Sequence, residues 1–309
     1  MVFNASNFNN CMFCGGSMLL QHHGVFHPFK PDHGPFDIYA CKECGSVQTC
    51  PMPSRESLTS LYGSYQDGLP ELHRTIMKED PQTAVYGQCV NRITSLSKRL
   101  ASDEFVWLDI GAGGGEFATL MSSAFPKSKG IAVDQHSRPA SLADVSIVEW
   151  READINQLEF SDNLPQADVV ASIAVWEHVL CPDLFVRNLL RLVKPGGILY
   201  LLCPNNASLA SRLLGKRWPL FTPGEHLAMP TKKGAVRCVQ REWNLLHGDE
   251  SIDVFSQGKM LPYTVRYLMR RLGVDAIGRM LPIGLSFPLP VGALETVAIR
   301  TAVNEANPN

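Results

Sequence analysis

The chain has 309 residues, 45% of them hydrophobic, enough to bury one full-size core and a small appendage. Its 28 Lys and Arg stand against 30 Asp and Glu, so it lacks the basic excess that a phosphate backbone attracts, and a nucleic-acid partner is not expected. No uninterrupted apolar run reaches the roughly 18 residues of a membrane span, and residues 1–10 lack the charged and apolar regions of a secretory leader, so the expected location is the cytoplasm.

In chain order, the first signal is a pair of knuckles, Cys11-Met-Phe-Cys14 and Cys41-Lys-Glu-Cys44, separated by 26 residues and followed by Gly15 and Gly45. Two cysteines three apart in a tight turn present both thiolates to one tetrahedral ion, and a glycine just after lets the backbone curl beneath the sulfurs. This predicts a zinc ribbon over 1–53, with a structural Zn2+ on Cys11, Cys14, Cys41 and Cys44. Cys50, Cys89, Cys181, Cys203 and Cys238 lack the spacing and read as core or surface thiols. With four cysteines available, His22, His23, His27 and His33 read as loop residues, and the Pro- and Gly-rich stretch 27–35 as a loop between two short hairpins. Beyond it, Ser54 caps a short helix carrying Leu58 and Leu61, and 54–100 reads as a helical lid or linker in which Tyr65 and Tyr86 are candidate lid residues.

The stretch Val106-Trp-Leu-Asp-Ile-Gly-Ala-Gly-Gly-Gly-Glu-Phe117 describes a strand entering a nucleotide-binding turn. In a dinucleotide site the last fingerprint position is glycine beside a pyrophosphate. Here it is Glu116, whose charge repels phosphate at a helix N-terminus, so a cationic or neutral nucleoside fits better. A second apolar run ends on Asp134, 19 residues after Gly115, where a carboxylate can accept hydrogen bonds from two ribose hydroxyls. A third run, Val145 to Trp150, leads to Glu152-Ala-Asp154-Ile155. A fourth, Ala167 to Val175, leads to Trp176-Glu-His178-Val179. The fifth, Ile198 to Cys203, is introduced by Lys194-Pro-Gly-Gly197 and closed by Pro204-Asn205.

These elements, in this order, resemble the class I methyltransferases, whose first motif matches Asp109-x-Gly111-x-Gly113-x-Gly115 and whose ligand, S-adenosylmethionine, is a sulfonium cation without phosphate. The resemblance implies an α/β Rossmann-like sheet with helices on both faces over 101–309. It implies cofactor contacts from Asp109, Gly111, Ala112, Gly113, Gly115, Asp134, Gln135, Asp154, Ile155 and Ala174, with Asp154 at the adenine amino group and Ile155 packing the ring. The ribbon, the proline-flanked helix start and Tyr62-Gly-Ser-Tyr65 narrow it to small-molecule methyltransferases with an N-terminal zinc ribbon, including NDP-sugar C-methyltransferases. A small-molecule acceptor, methylated on oxygen or carbon, is therefore implied.

The segment Gly215 to Thr231, with Glu225-His226-Leu227 at its centre, is similar to a loop of the same ribbon-bearing family. Substrate pockets in this fold lie at the carboxyl ends of strands four and five, so His178, Asn205, Trp218, Glu225 and His226 are expected to share a cavity. His226 or His178 is the expected base, with Glu177 orienting His226 or Glu225 orienting His178, since adjacent side chains in an extended segment diverge. The sugar C-methyltransferases carry a tyrosine two residues before this Glu, where Pro223 stands here. Between about 250 and 292 the helical spacing of Tyr263 to Leu272 predicts a helical insertion before a last strand at Leu294 to Arg300. That insertion could serve as a lid, a substrate wall or the surface of a homodimer. The competing reading makes the ribbon a module that recruits a protein or RNA, with the remaining fold accessory to it or acting on a macromolecule.

Overall fold

A computed structural model describes residues 9–27, 34–58, 82–96, 104–157, 160–218 and 220–301, apart from 267–268, 270–273, 275, 277–279 and 283–284. Eleven strands and four helices place the site. β1 (Met18–Val25), β2 (Phe36–Cys41) and β3 (Val47–Cys50) precede α1 (Gln82–Leu96). β4 (Val106–Ile110), α2 (Glu116–Ala124), β5 (Lys129–Asp134), β6 (Val148–Glu152), β7 (Ala167–Ile173), α3 (Pro182–Arg191) and β8 (Val193–Pro204) alternate along the chain. The short β9 (Ala228–Met229) and α4 (Lys232–His247) lead to β10 (Ile252–Thr264) and β11 (Ser286–Arg300).

The apolar runs become a seven-stranded sheet of order β10-β11-β8-β7-β4-β5-β6, parallel from β8 to β6, with β11 antiparallel at β8 and β10 antiparallel beyond it. Strands such as Ala167–Ile173 are buried along almost their whole length because helices cover both faces. Leu108 and Ile110 share one core with Phe185 and Leu189 of α3 and Val239 and Trp243 of α4. Trp107 and Ala132 share the other with Cys89 and Ile93 of α1 and Phe117 and Met121 of α2. Consecutive residues of one strand thus feed opposite layers, as the pleat requires. The chain leaves β4 for β5 on one side and β7 lies on the other, so a crevice opens at the carboxyl ends where strand order reverses.

The ribbon strands form a second, antiparallel sheet of order β1-β2-β3-β9, whose last strand comes from far along the chain. Cys11, Phe13, Cys41 and Cys44 belong to the same buried cluster as α3 and α4. The expected appendage is therefore packed into the larger body. His22 and His23 lie in β1 rather than in a loop, because the chain pairs β1 with β2 from Met18↔Cys41 up to Val25↔Phe36, at the edge of the proline-rich stretch.

The region from 250 to 292 also differs from expectation. It is dominated by β10 and β11, paired from Ile252↔Arg300 to Thr264↔Ser286, and the helical residues described lie between them at 265, 266, 269 and 276. β11 continues the main sheet through Ala293↔Pro204 to Ile299↔Ile198, and this ladder satisfies backbone groups that a helix would have had to pair internally. Among the described residues, no helix is long and apolar enough to cross a membrane.

Candidate active site

β4 delivers the chain into the glycine turn and α2 carries it away. Gly111 has φ 81°, and a Cβ there would stand 2.4 Å from Cγ2 of Val175, so the end of β7 packs directly on bare backbone. Gly113 also has positive φ, 52°, but a Cβ there would meet nothing within 4 Å: the backbone edge faces open space. The turn is held from beneath. Gly111 and Ala112 donate to the Val133 carbonyl (2.8 and 3.0 Å), and Gly113 N–H donates to Oδ2 of Asp134 (2.9 Å). Oδ1 of Asp134 accepts from His136 N–H (3.0 Å) and lies 2.8 Å from His136 Nδ1. Gly115 immediately precedes α2, and Gln135, just past β5, is half-buried.

Asp109 is 2% exposed, and its Oδ2 has no hydrogen-bond partner. Burial, then the charges of Asp134 and Glu116, push its carboxyl up to about 8. Burial, followed by the charges of Glu116 and Asp109, also raises the Tyr86 hydroxyl of α1. An acidic, partly unsatisfied crevice beside an open glycine edge suits a nucleoside that carries positive charge and no phosphate.

Asp154 accepts from Asn156 N–H (2.8 Å) on Oδ1 and from Arg55 Nε (2.6 Å) on Oδ2, while Ile155 packs half-buried against the core. Arg55 belongs to a helical turn at 55–58, where Ser54 accepts from Ser57 N–H as expected and Leu58 is buried. Leu61 and Tyr65 lie outside the described residues. Ala174, after β7, has φ 56°, a left-handed backbone that costs about 1–2 kcal/mol for a residue with a Cβ.

Past Ala174, the turn 176–178 places Glu177 and His178 opposite the loop that carries His226. The two imidazole centroids are 4.8 Å apart at 68°. His178 Nδ1 lies 3.0 Å from the Glu225 carbonyl, and His226 Nδ1 lies 2.6 Å from the Leu220 carbonyl. Glu177 Oε1 is 3.7 Å from His178 Nε2. Burial pushes Glu177 up to about 8 and lowers His178; burial, reinforced by His178, pushes His226 down to about 3. Both rings and Glu177 therefore favour their neutral forms.

Three expected roles change here. Glu225 meets His178 through its backbone carbonyl, while its carboxylate turns towards the ribbon, where Oε2 is 3.3 Å from His27 Nε2. Trp218 is 2% exposed in the small core of Val25, Ile38, Phe221 and Met229, and leaves no room for a side chain at Gly292, so it packs the ribbon rather than lining a cavity. Asn205 is also buried. Its Oδ1 accepts from Ala207 N–H (3.0 Å) and its own N–H donates to Gly292 (2.6 Å), which commits it to the turn after β8.

The four ribbon cysteines converge within 4.8 Å, with sulfur separations of 3.6 Å for Cys11 to Cys44 and 3.5 Å for Cys14 to Cys41. Four sulfurs about 2.3 Å from one tetrahedral zinc would lie about 3.8 Å apart, so the set fits that ion. Hydrogen bonding between Cys11 and Cys44 raises the first thiol and pulls the second down to about 4, which leaves Cys44 as a thiolate. Thr231 caps α4 by accepting from Gly234 N–H and donates to the Cys44 carbonyl (2.6 Å), locking the second knuckle to that helix.

The model of a methyltransferase domain matches residues 82–241, just over half of the chain. The chain belongs to the methyltransferase-domain family. A ubiquinone biosynthesis O-methyltransferase of Maricaulis maris (strain MCS10) is 36% identical over 117 residues, 36% of this chain and 46% of that protein. One from Agrobacterium fabrum (strain C58 / ATCC 33970) is 31% identical over 101 residues, 30% and 38% respectively, so the chain spans less than half the length of these curated relatives. Two plantazolicin methyltransferases, BamL and BpumL, solved with desmethyl-plantazolicin analogues and SAH, share the fold. Each has a TM-score of 0.52 over 80% of this chain, covering 97% and 95% of theirs, at 15% and 16% identity.

Within this methyltransferase fold, the glycine turn and Asp134 meet at the ends of β4 and β5, and Glu177, His178 and His226 gather beyond the end of β7. Two residues that sequence reasoning passed over also reach the site. Nothing in the spacing of His27 foretells its contact with Glu225, almost 200 positions away. Arg55 sits in a helix start whose target, Asp154, lies 99 positions on.

Proposed function

We propose that this protein transfers a methyl group from S-adenosylmethionine to a small-molecule acceptor, on an oxygen in preference to a carbon, with a structural zinc in the ribbon. The observation that carries the reading is the edge at Gly113, which is open to a ligand while its N–H is held by Asp134. A side chain there would fill the space a bound nucleoside needs. The neighbouring acidic groups, Asp109 and Asp134, suit a ligand with an ammonium and a sulfonium. Asp134 retains acceptor capacity for ribose hydroxyls beyond its present bonds, because each carboxylate oxygen has two lone pairs. Asp154 and Ile155 are assigned to the adenine, whose amino group donates to Asp154 beside Arg55 or in its place.

S-adenosylmethionine supplies the reactive methyl on its sulfonium when bound. The chain's own work is to orient the acceptor and remove its proton. We assign that step to His178 and His226, whose Nδ1 atoms face carbonyls, so the ring lone pairs are on Nε2. The preference for oxygen follows the ubiquinone biosynthesis O-methyltransferases among the relatives, and Pro223 departs from the tyrosine of the sugar C-methyltransferases.

The test is calorimetric titration of zinc-replete protein with S-adenosylmethionine and S-adenosylhomocysteine, followed by a methylation screen of phenols, acids and sugars. Micromolar binding of both nucleosides is expected. Asp134→Ala is expected to weaken it about 10- to 100-fold, from the loss of charge-assisted hydrogen bonds of about 1.5–3 kcal/mol. Absence of binding in the folded wild type would end the reading.

A further inference from the structure

Glu177, His178 and His226 each offer one ligating atom, and the three atoms lie within 4.8 Å of one another. They come from two separate segments, the turn after β7 and the loop before β9, so the convergence owes nothing to helical repeat. Both rings are fixed from behind by backbone carbonyls, those of Glu225 and Leu220. A carbonyl only accepts, so Nδ1 carries the proton and Nε2 the lone pair in each ring. This is the outer-shell arrangement that sets the tautomer and tilt of metal-binding histidines. The third group is unusual in its own right. Glu177 is 1% exposed, and its Oε2 is buried with no hydrogen-bond partner, a costly state for a carboxyl that has no further role.

We propose that Glu177, His178 and His226 bind one divalent transition-metal ion, a second site distinct from the ribbon, and that the ion's open position takes the oxygen of the acceptor. This rests on the assignment of this side of the crevice to the acceptor, and it moves proton removal from the two rings to the ion that they hold. Two imidazoles and a carboxylate suit zinc, cobalt, nickel or iron better than calcium or magnesium, and three protein ligands leave a fourth position for a water or a substrate. A hydroxyl ligated there is acidified, as metal-bound water is, and releases its proton to solvent while its oxygen stays on the ion. No electron is transferred in that step. The acceptor class is therefore an alcohol or phenol, favoured where a second oxygen can chelate.

The experiment is titration of protein whose ribbon is filled with zinc, using cobalt(II) as the probe. One further equivalent is expected to bind, with visible ligand-field absorption and without the sulfur-to-metal charge-transfer bands that four thiolates would give. Glu177→Gln and His226→Gln are each expected to weaken that equivalent by 10-fold or more, while ribbon zinc and S-adenosylhomocysteine affinity stay at wild-type values and report that the variants fold. No second equivalent in the wild type, or an undiminished one in both variants, overturns the proposal and leaves the histidines as metal-free bases. Failure of the methyltransferase reading looks different, since S-adenosylhomocysteine would then not bind whatever the metal count.

Discussion

His27 Nε2 lies 3.3 Å from Oε2 of Glu225, a buried contact between the ribbon and the loop that carries His226. The two side chains are 2% and 10% exposed, so neither is well hydrated. Glu225 in turn positions His178 through its backbone carbonyl. Removing the imidazole takes one polar contact from a carboxylate in a dry place, at a cost of about 1 kcal/mol. His27→Ala is expected to lower the melting temperature by a few degrees and to reduce kcat with an accepted substrate, while S-adenosylhomocysteine affinity holds. Turnover and melting both at wild-type levels would show that the contact positions nothing.

The two glycines of the turn are expected to fail in opposite ways. At Gly111 an added Cβ meets Val175 at 2.4 Å with φ 81°, so Gly111→Ala should destabilise the fold by about 2–4 kcal/mol, the sum of overpacking and left-handed strain. At Gly113 the added Cβ meets no protein atom, and only backbone strain of about 1–2 kcal/mol applies. Gly113→Ala should therefore stay folded and lose most of its nucleoside binding. Paired thermal melts and titrations check this, and an S-adenosylhomocysteine affinity for Gly113→Ala equal to wild type would remove the turn from the cofactor site.

Local sequence made the Rossmann-like half legible because its signals are local. The apolar runs ending on Asp109 and Asp134, the glycines and Thr231 before α4 can each be recognised from a few neighbouring residues, although Asp134 then binds Gly113, 21 positions back. The cysteine knuckles were equally legible, for their spacing is itself the geometry of the site. What escaped was non-local. His27 reaching Glu225, Arg55 reaching Asp154, and β3 pairing with β9 depend on how distant segments pack, and no periodicity encodes that. The hairpin of β10 and β11 was missed for a related reason. Residues 265, 266 and 269 are helical, as the spacing of Tyr263 to Leu272 suggests, but the strands on either side are set by pairing, and β11 gains a full ladder on β8 that only the assembled sheet can offer.

Asp109 should leave a signature in the pH dependence of stability. Its carboxyl is raised to about 8 in the folded protein from an ordinary value of 3.8, chiefly by burial. Between those values the unfolded chain has released the proton and the folded one keeps it, so stability falls as pH rises through that window and levels off above about 8. Asp109→Asn cannot ionise and escapes the loss. The stability of wild type relative to Asp109→Asn, from urea melts at pH 5 to 8.5, is expected to decline with pH by a few kcal/mol. A difference that stays flat over that range would mean that Asp109 is ionised throughout.

Removing the zinc proposed for the ribbon should be felt in the methyltransferase fold. Phe13, between the first two cysteines, meets Trp176 edge-on at 5.4 Å, one residue before Glu177. Cys44 is tied through Thr231 to α4, and Arg241 of that helix donates to the Met12 carbonyl at 2.8 Å. Binding of zinc by the four thiolates is coupled to folding of the knuckles, because the unfolded chain does not hold them together. Strong chelation, or Cys41→Ser, is therefore expected to loosen Phe13 from Trp176, change the tryptophan emission and lower the midpoint of a single unfolding transition, with turnover lost alongside it. Two separate transitions, with the second at the wild-type midpoint, would show instead that the ribbon melts alone and that its contacts with Trp176 and α4 do not support the site.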